Sequence, residues 1–202
     1  MNTTELHTLT SFTVTTKYGR NQTILDVAAA GHPTPIARLF KASQYDSRQP
    51  LQLLVGPQLA DPAGYINGFA AYAADRTKLA TITSRRRPFG VRRWQLEQTG
   101  LPALTAKPTG TSSIRYRFPL AIVLTGTLAN SFLPFQFRFR SAASEGFTVS
   151  RHAGIRARFT VTVHDPRLDR RIILATVVAL SQHESSDLRQ EGVDLTANPF
   201  KA

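Results

Sequence analysis

The sequence predicts a mainly β, single-domain protein in which a closed antiparallel sheet surrounds one helix near the carboxy-terminal end. Three observations lead there. Apolar and polar residues alternate with period two in "FQFRFR" (Phe135–Arg140) and "RFTVTVH" (Arg158–His164), the pattern of strands with one buried side. Four stretches, "ILDVAAAGHPTPIARL", "FAAYAADRTKLATI", "WQLEQTGLPALTAK" and "FTVSRHAGIRARFTV", each read as apolar strand, polar or glycine-containing turn, apolar strand, which implies a meander of hairpins. Finally, the uncharged run from Ile172 to Leu180, "IILATVVAL", falls short of the roughly 20 residues of a bilayer span, yet as a helix it is apolar on every side. Such a helix needs a wall all round, and a closed sheet supplies one.

In chain order, residues 1–11 lack a pattern and are expected to be flexible. The hairpin units follow, with "RWQLEQ" setting Trp94 and Leu96 opposite Arg93, Gln95 and Glu97. Phe118 to Phe137 is uncharged between Arg117 and Arg138, but Pro119, Gly126, Asn130 and Pro134 oppose a stable helix. A barrel strand, an irregular connection and then the "FQFRFR" strand are expected there. Asp165 followed by Pro166 predicts a helix start, the carboxylate capping backbone N–H groups and proline giving up a donor that is unpaired anyway. The helix is expected over about 166–183, within a barrel domain spanning 12–184, and the polar tail 185–202 is expected to be flexible.

Composition limits the chemistry. The 202 residues contain no cysteine, which removes disulfides, thiolate metal sites and thiol nucleophiles together. The amino-terminal stretch shows no secretory pattern, so a cytoplasmic location is expected, peripheral to a membrane if lipid is the partner. No G-x-S-x-G, Walker loop, G-x-G-x-x-G or H-E-x-x-H motif occurs, and His7, His32, His152, His164 and His183 lack metal-ligand spacing. A non-enzymatic protein with no cofactor, metal or catalytic residue is expected. The formal net charge of +12, carried mostly by arginine, favours anionic partners.

The stretch from "FLPFQFRFR" (Phe132–Arg140) through "GFTVSRHAGIRARFTVTVHDPRLDRRIILATVVALSQHE" resembles the tubby C-terminal-like superfamily, in its LURP-one-related and phospholipid scramblase-related branch. "LATITSRRRPFGVRRWQLEQTG" (Leu79–Gly100) is similar to that branch's earlier segment, a strand and a basic stretch leading to a tryptophan-containing strand. The resemblance covers most of Phe12–Glu184 and implies about twelve antiparallel strands around a central carboxy-terminal helix, with acidic phospholipid as partner. Calcium-responsive members carry an acidic segment before this helix. Here only Asp165 and Asp169 stand there, interleaved with Arg167, Arg170 and Arg171, whose charges repel a cation.

Two basic groups are the candidate anion- or lipid-binding residues. "SRRRPFGVRRW" brings Arg85, Arg86, Arg87, Arg92 and Arg93 into what reads as a loop between strands, where each charge near an anionic surface gains ~1 kcal/mol. Arg167, Arg170 and Arg171 oppose the helix macrodipole at ~0.3–1 kcal/mol each, so they call for solvent, the nearby aspartates or a bound anion. The expected partner is an anionic membrane surface or phosphorylated headgroup. The alternative is a structural or protein-interaction domain pairing through an open edge or rim. Nucleic acid fits less well, because Trp94 and the alternating phenylalanines point inward and leave no stacking face.

Overall fold

The alternation in the sequence becomes a sheet whose inner face is apolar and whose outer face meets water. A computed structural model describes residues 3–18, 21–43, 46, 49–86, 92–110, 134–154 and 157–182. A short helix, α1 (Thr3–Thr8), precedes β1 (Ser11–Tyr18), β2 (Thr23–Ala29), β3 (Ala37–Lys41), β4 (Leu51–Val55), β5 (Asp61–Asn67) and β6 (Ala70–Ala73). The chain continues through β7 (Lys78–Arg86), β8 (Arg92–Gln98), β9 (Leu104–Pro108), β10 (Phe135–Ser141), β11 (Ser144–Arg151) and β12 (Arg158–Val163). Helix α2 follows over 170–182. Every strand pairs antiparallel with its sequence neighbours and β1 pairs with β12, so the twelve strands close into a barrel. Closure leaves no sheet edge to template aggregation or capture another strand.

Period two sets which side chains look inward. Phe137 and Phe139 of β10, Phe147 and Val149 of β11, and Phe159 and Val161 of β12 are buried, and the Phe139 and Phe147 rings stack with centroids 4.7 Å apart. The α2 residues from Ile172 to Leu180 are buried on every face and share one core with them. Each large aliphatic removed from water in this way is worth about 1.5–3 kcal/mol, an upper estimate because unfolded chains hide some surface. Ala175 and Ala179, one turn apart and fully buried, let the helix approach the sheet closely. Thr176, also fully buried, donates its hydroxyl to the Ile172 carbonyl at 3.0 Å, so the one polar side chain of the run is satisfied within the helix.

The chain leaves β12 at Val163, crosses the barrel mouth through 164–169 and turns back inside as α2. The Gly146 carbonyl holds that crossing, accepting from the N–H groups of His164 at 2.9 Å and Asp165 at 3.0 Å. Only glycine fits at 146. Its φ is +64°, and a Cβ there would lie 1.7 Å from the Phe139 carbonyl oxygen, beside the bulge between Phe139 and Ser141.

Two expectations are corrected. Residues 1–11 were expected to be flexible, but Thr3–Thr8 is helical and Leu6 is 0% exposed, because α1 covers the mouth through which the helix enters. The central helix starts at Arg170 rather than near 166. Residues 165–168 form a turn in which Leu168 N–H donates to the Asp165 carbonyl, since the chain must travel from wall to axis before it can coil. Of the uncharged segment Phe118–Phe137, the part from Phe135 is β10, while 118–133 lies outside the described residues, as does the tail 185–202. Among the described residues no helix is long and apolar enough to cross a membrane.

Candidate functional site

The two candidate arginine groups lie at opposite mouths of the barrel. At the mouth where α2 begins, Asp169 rather than Asp165 is the helix cap: its Oδ1 accepts from the Arg171 N–H at 2.9 Å. Arg171 returns a two-pronged pair to the same carboxylate, Nε to Oδ1 at 3.0 Å and Nη2 to Oδ2 at 2.6 Å, and donates Nη1 to the Ala63 carbonyl at 3.2 Å. Arg167 does the same with Asp165, Nε to Oδ1 at 3.0 Å and Nη2 to Oδ2 at 2.7 Å, and reaches the Ala143 carbonyl at 2.8 Å. Arg170 is 1% exposed and donates to the carbonyls of Leu9 at 2.8 Å, Pro166 at 3.2 Å and Leu168. All three guanidiniums are engaged in tying α2, α1 and the barrel wall together.

The same pairing occupies the aspartates. Hydrogen bonds from Arg167, assisted by one from the Ser144 hydroxyl at 2.6 Å, hold the Asp165 carboxyl well below the usual carboxylate range against the opposing effect of burial. A carboxylate more acidic in the folded than the unfolded state contributes stability that is complete above its unfolded pKa of about 3.9 and is lost as pH falls toward the folded value. Asp165→Asn is therefore expected to lower stability at neutral pH and flatten its fall below about pH 4, checked by urea midpoints measured from neutral to acidic pH. His7 on α1 lies 3.8 Å from Asp169, and its pKa is lowered, chiefly by burial.

An open cleft of about 350 Å³ lies beside this mouth, between Ala142–Glu145 and His164–Arg167. It contains serine, histidine and aspartate, yet they are not arranged for nucleophilic chemistry. The Ser144 hydroxyl donates to Asp165 rather than to an imidazole, and His164 Nε2 pairs with Thr148 Oγ1 at 3.0 Å. Glu145 is bound to Arg138 at 2.9 Å.

The far mouth is different. The basic stretch read as a loop is largely strand: the inside-out alternation of Ile82, Thr83 and Ser84 continues, so Arg85 and Arg86 belong to β7 and Arg92 and Arg93 to β8. Arg85 pairs with Arg93 and Arg86 with Arg92 across the ladder, while Arg87 lies outside the described residues. The side chains of Arg85 and Arg93 are both exposed, and among the described residues neither has an ion-pair partner. Exposed Lys107 stands on the neighbouring strand β9, opposite Arg138 of β10.

Three features were missed by sequence reading. Asp26 joins Lys17 and Arg38, each at 2.7 Å, in a triad across β1, β2 and β3 that only cross-strand register creates. Arg151 is buried on the apolar side of β11; the alternation after Phe147 and Val149 carries that signal. Phe69, read as the beginning of a strand, is 46% exposed in the turn between β5 and β6.

Comparison of the chain with protein-family models, curated proteins and solved structures gave no significant match.

Proposed function

We propose that this chain is a non-enzymatic, tubby-like binding protein that makes peripheral contact with anionic phospholipid, or its phosphorylated headgroup, through the outside of the far mouth. The observation that carries the reading is Arg85 directly opposite Arg93 with both side chains in water. Like charges facing each other across a ladder destabilise a sheet, and an anion between the two guanidiniums reverses that sign and accepts paired donors. The arrangement of twelve strands around a helix agrees with what the tubby-like resemblance implies, and the cytoplasmic face of a membrane is the matching location. Arg167, Arg170 and Arg171 are set apart from this contact, because they stand at the opposite mouth, engaged with Asp165, Asp169 and backbone carbonyls.

The competing reading, a protein-interaction domain without a lipid role, loses one route through the closed sheet, since every strand already has two neighbours. Co-sedimentation at physiological salt separates the two. Vesicles containing phosphatidylserine are expected to retain the protein and pure phosphatidylcholine vesicles to release it. Arg85→Glu with Arg93→Glu is expected to weaken retention at least about tenfold, given ~1 kcal/mol per basic residue. Equal retention on both vesicle types would favour the interaction-domain reading.

A further inference from the structure

We infer that the protein meets the anionic phospholipid surface end-on, far mouth first, with the Phe69 turn inserted among the headgroups. This rests on the phospholipid reading and adds its orientation. The first support is a division of charge along the barrel axis. Glu5 on α1, Asp61 at the start of β5, Asp75 in the β6–β7 turn, and Glu145, Asp165 and Asp169 all gather at the helix-start mouth, with Glu97 of β8 toward the same end. Among the described residues, the acidic side chains elsewhere are Asp26, held by Lys17 and Arg38, and Asp46 in the connection from β3 to β4. The far mouth carries exposed Arg85 and Arg93, and exposed Arg158 at the start of β12. At the helix-start mouth these carboxylates are balanced by Arg76, Lys78, Arg140, Arg167, Arg170 and Arg171. Among the described residues the cations of the far rim have no such balance, so a negatively charged surface attracts the far mouth in preference.

The second support is apolar and independent of charge. Phe69 is the exposed large hydrophobic side chain among the described residues, at the far-mouth tip of the β5–β6 turn. The tip is anchored rather than loose: the Phe69 carbonyl accepts from the Ile82 N–H at 2.7 Å, and its ring lies 6.3 Å from that of Trp94. Arg85 follows Ile82 on the same strand, toward the same rim, and Arg93 adjoins Trp94. An aromatic side chain in water flanked by cations is the composition that seats a protein at a membrane interface, the ring entering the headgroup layer while the arginines meet phosphate.

Trp94 is the chain's single tryptophan, so its emission reports on this rim alone. In phosphatidylserine-containing vesicles whose phosphatidylcholine is brominated near the headgroup, Trp94 emission is expected to be quenched in the bound protein. Binding without quenching would overturn the end-on orientation and leave the phospholipid reading standing; no binding to the anionic vesicles would overturn that reading and the orientation with it. Phe69→Ala is expected to weaken vesicle binding about fivefold, since roughly half of a phenylalanine side chain leaves water on insertion. Phe69→Leu, which keeps an apolar side chain, is expected to retain most of the binding and the quenching. Equal affinity of Phe69→Ala and the parent, with matching thermal melts, would show that Phe69 does not insert.

Discussion

Val177→Asp is expected to abolish cooperative folding at neutral pH. Val177 is fully buried in α2, within the apolar core that the helix shares with the inner face of the closed sheet. The side chain would have to be buried charged, at a cost of several kcal/mol, or buried neutral with its hydroxyl and carbonyl unpaired, which costs about 1–3 kcal/mol per group beyond the lost valine packing. Either sum is comparable with the ~5–15 kcal/mol that stabilises a whole domain. The measurement is a thermal melt followed by circular dichroism, with Thr162→Asp on the exposed face of β12 as the control. That control is expected to stay within about 0.5 kcal/mol of the parent. A Val177→Asp variant with a near-native melt would place this residue in water.

Arg170→Ala is expected to cost about 3–5 kcal/mol, the usual penalty for breaking a buried charged contact from one side. The guanidinium is nearly inaccessible and bridges carbonyls from three places: Leu9 after α1, and Pro166 and Leu168 in the crossing turn. Burial pushes its pKa down, and the charges of Asp169 and Asp165 oppose that shift without either carboxylate binding it directly. Truncation leaves three carbonyls short of a donor and a cavity where one of the largest fully buried side chains had been. Arg170→Lys keeps the charge but not the planar fork, so it cannot serve the three acceptors at once and should recover only part of the loss. Urea midpoints of the two variants give the comparison. Indifference to both would mean that α1 and α2 are held together by something else.

The parts of this fold that could be read from the chain are those decided by local alternation or by sheer apolarity. "FQFRFR" and "RFTVTVH" became β10 and β12 with their phenylalanines inward, and the four hairpin units became β2–β3, β6–β7, β8–β9 and β11–β12. Ile172–Leu180 could be placed because a stretch apolar on all sides admits few environments. The parts that could not be read depend on partners distant in sequence. Asp165–Pro166 carries every local sign of a helix start, but the barrel mouth must be crossed first, which moves the cap to Asp169. Six residues of α1 are too few to show a period, and Leu6 is ordered by the mouth that it covers. The site divides in the same way. A basic cluster at 85–93 was visible, whereas the opposition of Arg85 to Arg93, the exposure of Phe69 and the gathering of carboxylates at the other mouth exist only once register is set. Arg167, Arg170 and Arg171 looked equally cationic in the chain, and only their geometry shows them to be fastenings.

The central claim is that α2 fills the barrel, so that recognition is left to the exterior. Native-state hydrogen exchange tests it most directly. The backbone N–H groups of Val177, Val178, Ala179 and Leu180, bonded within a helix that the sheet encloses, are predicted to exchange only when the whole domain unfolds, at the same free energy as Phe12 and Val14 in β1. Exchange of the helix amides at a much lower free energy, while β1 stays protected, would show that the helix opens to water with the barrel intact and would contradict the account.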